Sequence, residues 1–200
     1  MAAVGRVDNV VVLSTELFDA IEVNAARTGN HKRAAVRMSR LAVQATAGGM
    51  SRAEAHMRAG EQWLLADEPT DAVEQFQKAI TDGGPTFDNP RVSLARAMFA
   101  LGRTEDADAL LREVRESDAR TKPRTSDLVA ELLTEQGDLE GALDWATAGV
   151  DASLSSGEEG NELQLLLRLR YRLRVDLGLP EDDYDKLLDV NKKAGPAAGG

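Results

Sequence analysis

The stretch from Gly60 to Ala79, GEQWLLADEPTDAVEQFQKA, decides the fold of this chain. Two amphipathic segments flank a short turn at residues 66–70, and small and large residues alternate on both sides of that turn. Gly60 and Trp63 precede the turn, and Phe76 follows it. Because a glycine lets another segment approach closely, the stretch predicts a pair of tightly packed helices. Trp63 is assigned to the core of this pair rather than to a ligand-binding surface.

The same pattern recurs along the chain. Four segments carry a marker alanine, with spacings of 38, 35 and 35 residues, at Ala34, Ala72, Ala107 and Ala142. A turn residue stands five positions before each alanine, at Gly29, Asp67, Gly102 and Gly137, and a fifth turn at Gly178 has no matching alanine. A period of about 34 residues with two helices per unit is the signature of a helical solenoid.

These residues resemble the tetratricopeptide repeat family, which has small residues at the close helix contacts and an aromatic residue four positions after the marker alanine. The second repeat matches best, at Gly60, Trp63, Ala72, Phe76, Ala79 and Pro85. The resemblance is good over residues 52–152 and weaker over residues 14–47 and 161–191, and Ala146 replaces the aromatic residue in the fourth repeat. It implies an all-α fold, a right-handed superhelix of about ten helices with a concave peptide-binding groove.

The repeat pattern also predicts the organisation of the chain. Residues 1–13 form a loose lead-in, residues 14–191 a repeat domain, and residues 192–200 a disordered tail. Within the domain we expect a divergent first repeat over 14–47, repeats over 51–86, 88–120 and 123–152, and capping helices over 161–191. The four apolar residues Val10–Leu13 do not decide whether this segment pairs or packs.

Helix ends are predicted from capping residues and helix breakers. Ser14, Ser51 and Asn89 stand where a side-chain oxygen can accept a hydrogen bond from a first-turn N–H group. Glu54 completes a capping box with Ser51. The second helix is expected over His31–Ala47, and loops are expected over Arg120–Ser126 and Ser153–Gly160.

Residues 161–179 allow two interpretations. Leucines alternate with polar residues from Leu163 onward, which is typical of a strand. However, Leu166, Leu169 and Leu173 also form a helical stripe, and leucine and arginine are good helix formers. We expect a helix, because a lone strand would have no partner in this chain. Its apolar surface suits a terminal cap or a homodimer contact.

Composition excludes several classes of protein. The net charge of −10 and the pI of about 4.8 argue against sequence-independent binding to nucleic acid, which depends on neutralising phosphates. The absence of cysteine excludes disulfides, thiolate metal sites and cysteine nucleophiles. No apolar run reaches the roughly 18 residues of a membrane span. We expect a cytoplasmic protein, and the excess of arginine over lysine points to a GC-rich bacterial genome.

The sequence predicts no catalytic, cofactor or metal site. Its two histidines, His31 and His56, fall in different repeats, whereas a metal site needs several convergent ligands. Motifs typical of phosphate-binding loops, zinc proteases and serine hydrolases are absent. We therefore expect no enzymatic activity, no cofactor and no metal.

The family resemblance places groove residues on the first helix of each repeat. They are Arg58, Glu61, Arg96, Asp127, Glu131 and Glu135, with Asp19, Met57 and Val92 beside them. Such a mostly acidic groove would prefer a basic or polar segment of a partner. The lysine and asparagine pattern with which some family members clamp a terminal carboxylate is absent.

Arg33, Arg37 and Arg40 share one face of the second helix. They form either a solvated surface or a second contact face for an acidic partner. The leading functional hypothesis is a non-enzymatic scaffold or adaptor that binds a peptide or helix of another protein. The alternatives are a regulatory or sensor module, which responds to a signal peptide or controls a transcription factor, and a self-assembling structural protein.

Overall fold

The computed structural model describes residues 11–117, 119, 122–157 and 161–193. The chain divides into two compact units, residues 1–110 and 111–200. Helices dominate the described part of both units, and the predicted all-α class is confirmed.

The first unit begins with a short strand and continues as helical hairpins. Its elements are β1 (Val11–Leu13), α1 (Thr15–Thr28), α2 (His31–Gln44), β2 (Ala45–Gly49), α3 (Arg52–Leu65), α4 (Pro69–Asp82) and α5 (Pro90–Ala100). The next helix, α6 (Thr104–Glu116), contains the boundary between the units. The second unit continues with α7 (Pro123–Gln136), α8 (Leu139–Ser156), α9 (Asn161–Asp176) and α10 (Asp183–Lys193).

Each predicted turn residue adopts a left-handed backbone conformation. The φ angles are 71° at Gly29, 58° at Asp67, 71° at Gly102, 82° at Gly137 and 67° at Gly178. Glycine reaches this region without steric cost, and aspartate is among the side chains that tolerate it. These residues therefore mark the turns between consecutive helices, and their spacing in the sequence gives the spacing of the turns.

The predicted N-terminal caps are confirmed. The Ser14 hydroxyl accepts a hydrogen bond from the Leu17 N–H at 3.2 Å, and the Ser51 hydroxyl accepts one from the Glu54 N–H at 2.9 Å. The Asn89 side chain accepts from the Arg91 N–H at 3.0 Å. These bonds satisfy N–H groups that the first turn of a helix leaves without a partner.

The central repeat packs as the opening stretch predicts. In the first unit, α3 packs against α2 and α4. A Cβ atom at Gly60 would lie less than 3.0 Å from ring atoms of Phe76, which is fully buried. Trp63 is 8% exposed, and its Nε1 donates a hydrogen bond to the Ser39 hydroxyl at 3.2 Å. Trp63 therefore belongs to the core.

Gly60→Ala should lower the free energy of unfolding by about 1–2 kcal/mol. Overpacking against the Phe76 ring costs roughly 2–3 kcal/mol, and the higher helix propensity of alanine returns about 1 kcal/mol. Urea denaturation measures the difference. In a Phe76→Leu background the same substitution should cost less, since the ring is gone. Equal costs in the two backgrounds would contradict this explanation.

Two short parallel strands depart from the predictions, β1 from the loose lead-in expected over residues 1–13 and β2 from the expected second helix. β1 pairs with β2, with Leu13 opposite Gly49, and the Met50 N–H donates to the Leu13 carbonyl at 3.0 Å. The prediction that the second helix reaches Ala47 is wrong. The helix ends at Gln44 because the following residues pair with β1.

Two loop predictions are also wrong in part. α7 begins at Pro123, so the loop predicted over Arg120–Ser126 is too long. Proline disrupts the interior of a helix because it has no backbone N–H group, but it is favourable as the first helical residue. α8 continues to Ser156 and is capped by Gly157, which has a φ of 70°, so the first half of the connector predicted over Ser153–Gly160 is helical.

The ambiguous segment after residue 160 is helical, as expected. α9 buries Leu166 and Leu173 at helical spacing. It also buries Arg170, which is 4% exposed and donates to the carboxylates of Asp182, at 3.0 Å, and Asp185, at 3.4 Å. α10 includes the first two residues of the predicted tail, whereas residues 194–200 and 1–10 lie outside the described residues.

Candidate functional site

A cavity of about 230 Å³ in the first unit gathers several carboxylates, and we call it the acidic pocket. Three segments enclose it: α1, α3 and the connection from α4 to α5. The lining residues are Glu22, Glu54, Met57, Arg58, Glu61, Phe87 and Asp88. It therefore contains two of the predicted groove residues, Arg58 and Glu61, above the buried side chain of Met57.

Arg58 is already paired with carboxylates of its own unit. Its Nε donates to Glu22 at 2.7 Å, and its guanidinium also forms ion pairs with Asp19 and Glu22. The guanidinium carbon lies 5.6 Å from the centre of the Phe18 ring. These contacts fix Arg58 against α1, so its charge is largely neutralised within the unit.

Glu61 has a different environment from the other acids of the pocket. Burial is the largest cause that raises its pKa, and together with the negative charges of Asp88, Glu22 and Glu54 it brings the pKa to about 7. Arg58 acts in the opposite direction, but its effect is smaller. Glu61 is consequently close to half protonated near neutral pH.

Phe87 forms an apolar rim beside these carboxylates. Its side chain is 77% exposed, and its backbone N–H donates to the Glu54 carboxylate at 2.8 Å. The Ser51 hydroxyl donates to the Pro85 carbonyl. The two residues at the start of α3 thus bind the connection that carries Phe87 and Asp88.

The other predicted site residues lie outside this pocket. Arg96 is half-buried on α5, and Arg33, Arg37 and Arg40 are exposed on α2. In the second unit, Glu131 and Glu135 are exposed on α7, but Asp127 is only 5% exposed and pairs with Arg124 at 3.7 Å. The prediction that Asp127, Glu131 and Glu135 form one acidic line that faces a groove is therefore wrong for Asp127, which is buried.

Sequence reasoning missed four residues of the pocket: Glu22, Glu54, Phe87 and Asp88. The sequence predicts only a capping role for Glu54, and the cluster of glycine, proline, aspartate and asparagine over residues 82–89 indicates only a turn. The available signal was a large aromatic residue within a segment otherwise rich in glycine, proline and aspartate. A lone exposed aromatic residue in such a segment is a candidate contact residue.

A comparison with protein families matches the central part of the chain. Residues 64–132 match the family model of the tetratricopeptide repeat. This segment therefore has the tetratricopeptide repeat that the sequence pattern predicts. The searches of curated proteins and of solved structures gave no match. The matched segment runs from the end of α3 into α7, at the centre of the predicted resemblance.

Tetratricopeptide repeats generally mediate interactions between proteins and are typically non-catalytic. Among the residues that the structure describes, no helix is long and apolar enough to cross a membrane. Over the same residues, no group of three histidine, aspartate or glutamate side chains is placed to hold a metal ion.

Proposed function

We propose that this protein is a non-enzymatic cytoplasmic scaffold that binds a basic segment of a partner protein. In this proposal the acidic pocket of the first unit receives one lysine or arginine side chain. The observation that carries the proposal is the position of Glu61, a half-buried carboxylate among other acids, beside an exposed aromatic ring.

The charge balance of the pocket supports a cationic occupant. Four carboxylates and one guanidinium line it. Glu22 is paired with Arg58, and Glu54 accepts from a backbone N–H group, whereas no hydrogen bond or ion pair is recorded for Glu61 among the described residues. A partner cation next to Glu61 would supply the missing opposite charge, and opposite charge is what fixes specificity at such contacts.

The apolar surface of the pocket suits the stem of a long basic side chain. Lysine and arginine bury their methylene groups along apolar surfaces and keep the charged end near polar groups. Met57 forms the buried base, and the Phe87 ring stands exposed at the rim. A cation near the face of an exposed aromatic ring gains about 0.5–1 kcal/mol.

Affinity for a basic peptide should rise by about tenfold between pH 6 and pH 8, since a carboxyl group with a pKa of about 7 passes from about one tenth to about nine tenths ionised. Fluorescence anisotropy with a capped lysine–serine peptide measures this change, because lysine keeps its charge throughout. The Glu61→Gln variant should bind weakly and show little dependence on pH. A peptide with glutamine in place of lysine should bind weakly at both pH values.

Glu105→Gln provides the matched control, because Glu105 is an exposed acid of the same unit that does not line the pocket. It should bind the lysine peptide as the unaltered protein does. Equal affinity of the Glu61→Gln and Glu105→Gln variants would overturn the proposal, as would equal binding of the lysine and glutamine peptides.

The proposal includes two further contact surfaces, the acidic side chains on α7 and the exposed apolar side chains on α9. A charge-reversal test of the α7 surface should replace the exposed Glu131 and Glu135 by lysine. It should leave Asp127 unchanged, because a lysine at this buried position would lie in the core. A homodimer through α9 is supported by Leu165 and Val175, which are 48% and 57% exposed.

A further inference from the structure

A second cavity in the first unit lies between α1 and α2, and we call it the arginine cleft. Its volume is about 290 Å³. Leu17, Ile21 and Ala25 of α1 supply an apolar floor, and Arg33 and Arg37 of α2 stand at its edge. The cleft therefore combines apolar surface with two positive charges.

These two arginines keep their charge available. Both are exposed, and among the described residues no hydrogen bond or ion pair of Arg33 or Arg37 is recorded. Two other cations of the same unit are paired with acids, Lys32 with Glu68 and Arg52 with Asp82.

The side of α2 that carries the cleft is opposite the side that packs on α3. The ring of His31 is hydrogen-bonded to Gln62 at 3.0 Å, and Ser39 accepts from Trp63, so His31 and Ser39 face α3. At about 100° per residue, Arg33 and Arg37 point roughly half a turn away from those two residues. The packing that holds α2 in the core therefore leaves the cleft open to a partner.

The start of α2 strengthens the positive potential of the cleft. Its first turn contains no acidic residue, whereas those of α1, α3 and α4 contain Glu16, Glu54 and Asp71. The partial positive charge of the helix N-terminus is thus not offset by a side chain of its own first turn. Asn30, just before the helix, also lines the cleft and offers an amide.

From the cavity, its floor and the two unpaired guanidinium groups, we propose that the arginine cleft binds an acidic segment of a partner protein. One glutamate or aspartate carboxylate of that segment pairs with Arg33 and Arg37, and an adjacent apolar side chain lies on Leu17 and Ile21. The volume is near the lower limit of roughly 300 Å³ for small-molecule pockets, which suits one apolar side chain rather than a cofactor. The acidic pocket plays no part in this site.

The test compares short peptides that differ only at the proposed contacts. Each is acetylated and amidated, so side chains carry the only carboxylates, and each holds a Glu-Leu-Glu, Gln-Leu-Gln or Glu-Gly-Glu core between glycine and serine residues. Titrations followed by two-dimensional NMR of the labelled full chain report both affinity and location. The Glu-Leu-Glu peptide should bind most tightly and shift signals of residues at the cleft.

Arg33→Gln combined with Arg37→Gln should weaken binding of the Glu-Leu-Glu peptide by about tenfold, because both charge-assisted contacts are lost. Arg40→Gln is the matched control, since Arg40 is exposed on the same helix but does not line the cleft, and it should leave binding unchanged. Ala20→Trp keeps both charges but fills the cleft from its exposed edge, and it should weaken binding as well.

Several outcomes would overturn the proposal. One is equal binding of the Glu-Leu-Glu and Gln-Leu-Gln peptides. Another is an Arg40→Gln variant that weakens binding as much as the double variant. A third is binding of phosphatidylserine vesicles, or of inorganic phosphate, with no binding of the acidic peptide. Thermal melting of each variant by circular dichroism verifies that the compared proteins are folded.

Discussion

Replacing Trp63 by alanine will lower the free energy of unfolding by about 3–5 kcal/mol. The indole is 8% exposed, and its Nε1 donates to Ser39, so the substitution leaves both a large cavity and a hydroxyl without its donor. Urea denaturation should be followed by circular dichroism, because the substitution removes one of the two tryptophans.

Ser39→Ala separates the two contributions. It removes the hydrogen bond but keeps the indole in place, so it should cost only about 1 kcal/mol. A loss below about 1 kcal/mol for Trp63→Ala itself would mean that the ring is not part of the core, and Trp63 would return as a candidate ligand contact.

Glu61→Gln will make the protein more stable than the unaltered chain at pH 8, by about 2–3 kcal/mol after allowance for the partial exposure of the side chain. The folded-state pKa of Glu61 is raised to about 7 by burial and by neighbouring acids. The folded state therefore holds a proton that the unfolded state has already lost. The associated stability is fully present below the unfolded pKa of about 4.5 and disappears as the pH rises through 7.

The measurement is the difference in unfolding free energy between the two proteins, taken by urea denaturation at several pH values. The difference should grow from pH 4.5 to pH 8, because glutamine never acquires the charge. Other titrating groups are common to both proteins and cancel. The exposed Glu105→Gln variant should show no such trend, and a flat difference for Glu61→Gln would show that its carboxylate is well solvated.

Features that depend on neighbouring residues were predictable from the sequence. The turns follow from residues that tolerate a positive φ, namely four glycines and Asp67. The close helix contact follows from Gly60, and the helix starts follow from Ser14, Ser51 and Asn89. In each case the interaction that determines the feature lies within a single turn or one helical hairpin. Such short-range interactions can be predicted from a single sequence.

Features that depend on distant residues were not predictable. β1 and β2 pair across the whole of α1 and α2, and four apolar residues do not indicate such a partner. The acidic pocket forms because Glu54 and Ser51 bind the segment containing Phe87, a contact between residues more than thirty positions apart. Sequence patterns of period 3.6 carry no information about either arrangement.

The acidic line on α7 illustrates the limit of spacing alone. Residues four positions apart on a helix are rotated by about 40°, so Asp127 and Glu135 differ by about 80° around the axis. Glu135 remains exposed, whereas Asp127 is turned into the core, where Arg124 pairs with it. The spacing in the sequence groups these acids together, but only those on the solvent-facing side of the helix are exposed.

The parallel strand pair also has a consequence for the first hairpin. β1 precedes α1 and β2 follows α2, so their pairing ties together the outer ends of the two helices, while the turn at Gly29 joins the inner ends. The space between α1 and α2 is thus bounded at both ends by the covalent or hydrogen-bonded chain. The distance between the two helices is therefore fixed before a ligand binds. Binding in this space should cost little conformational entropy of the protein.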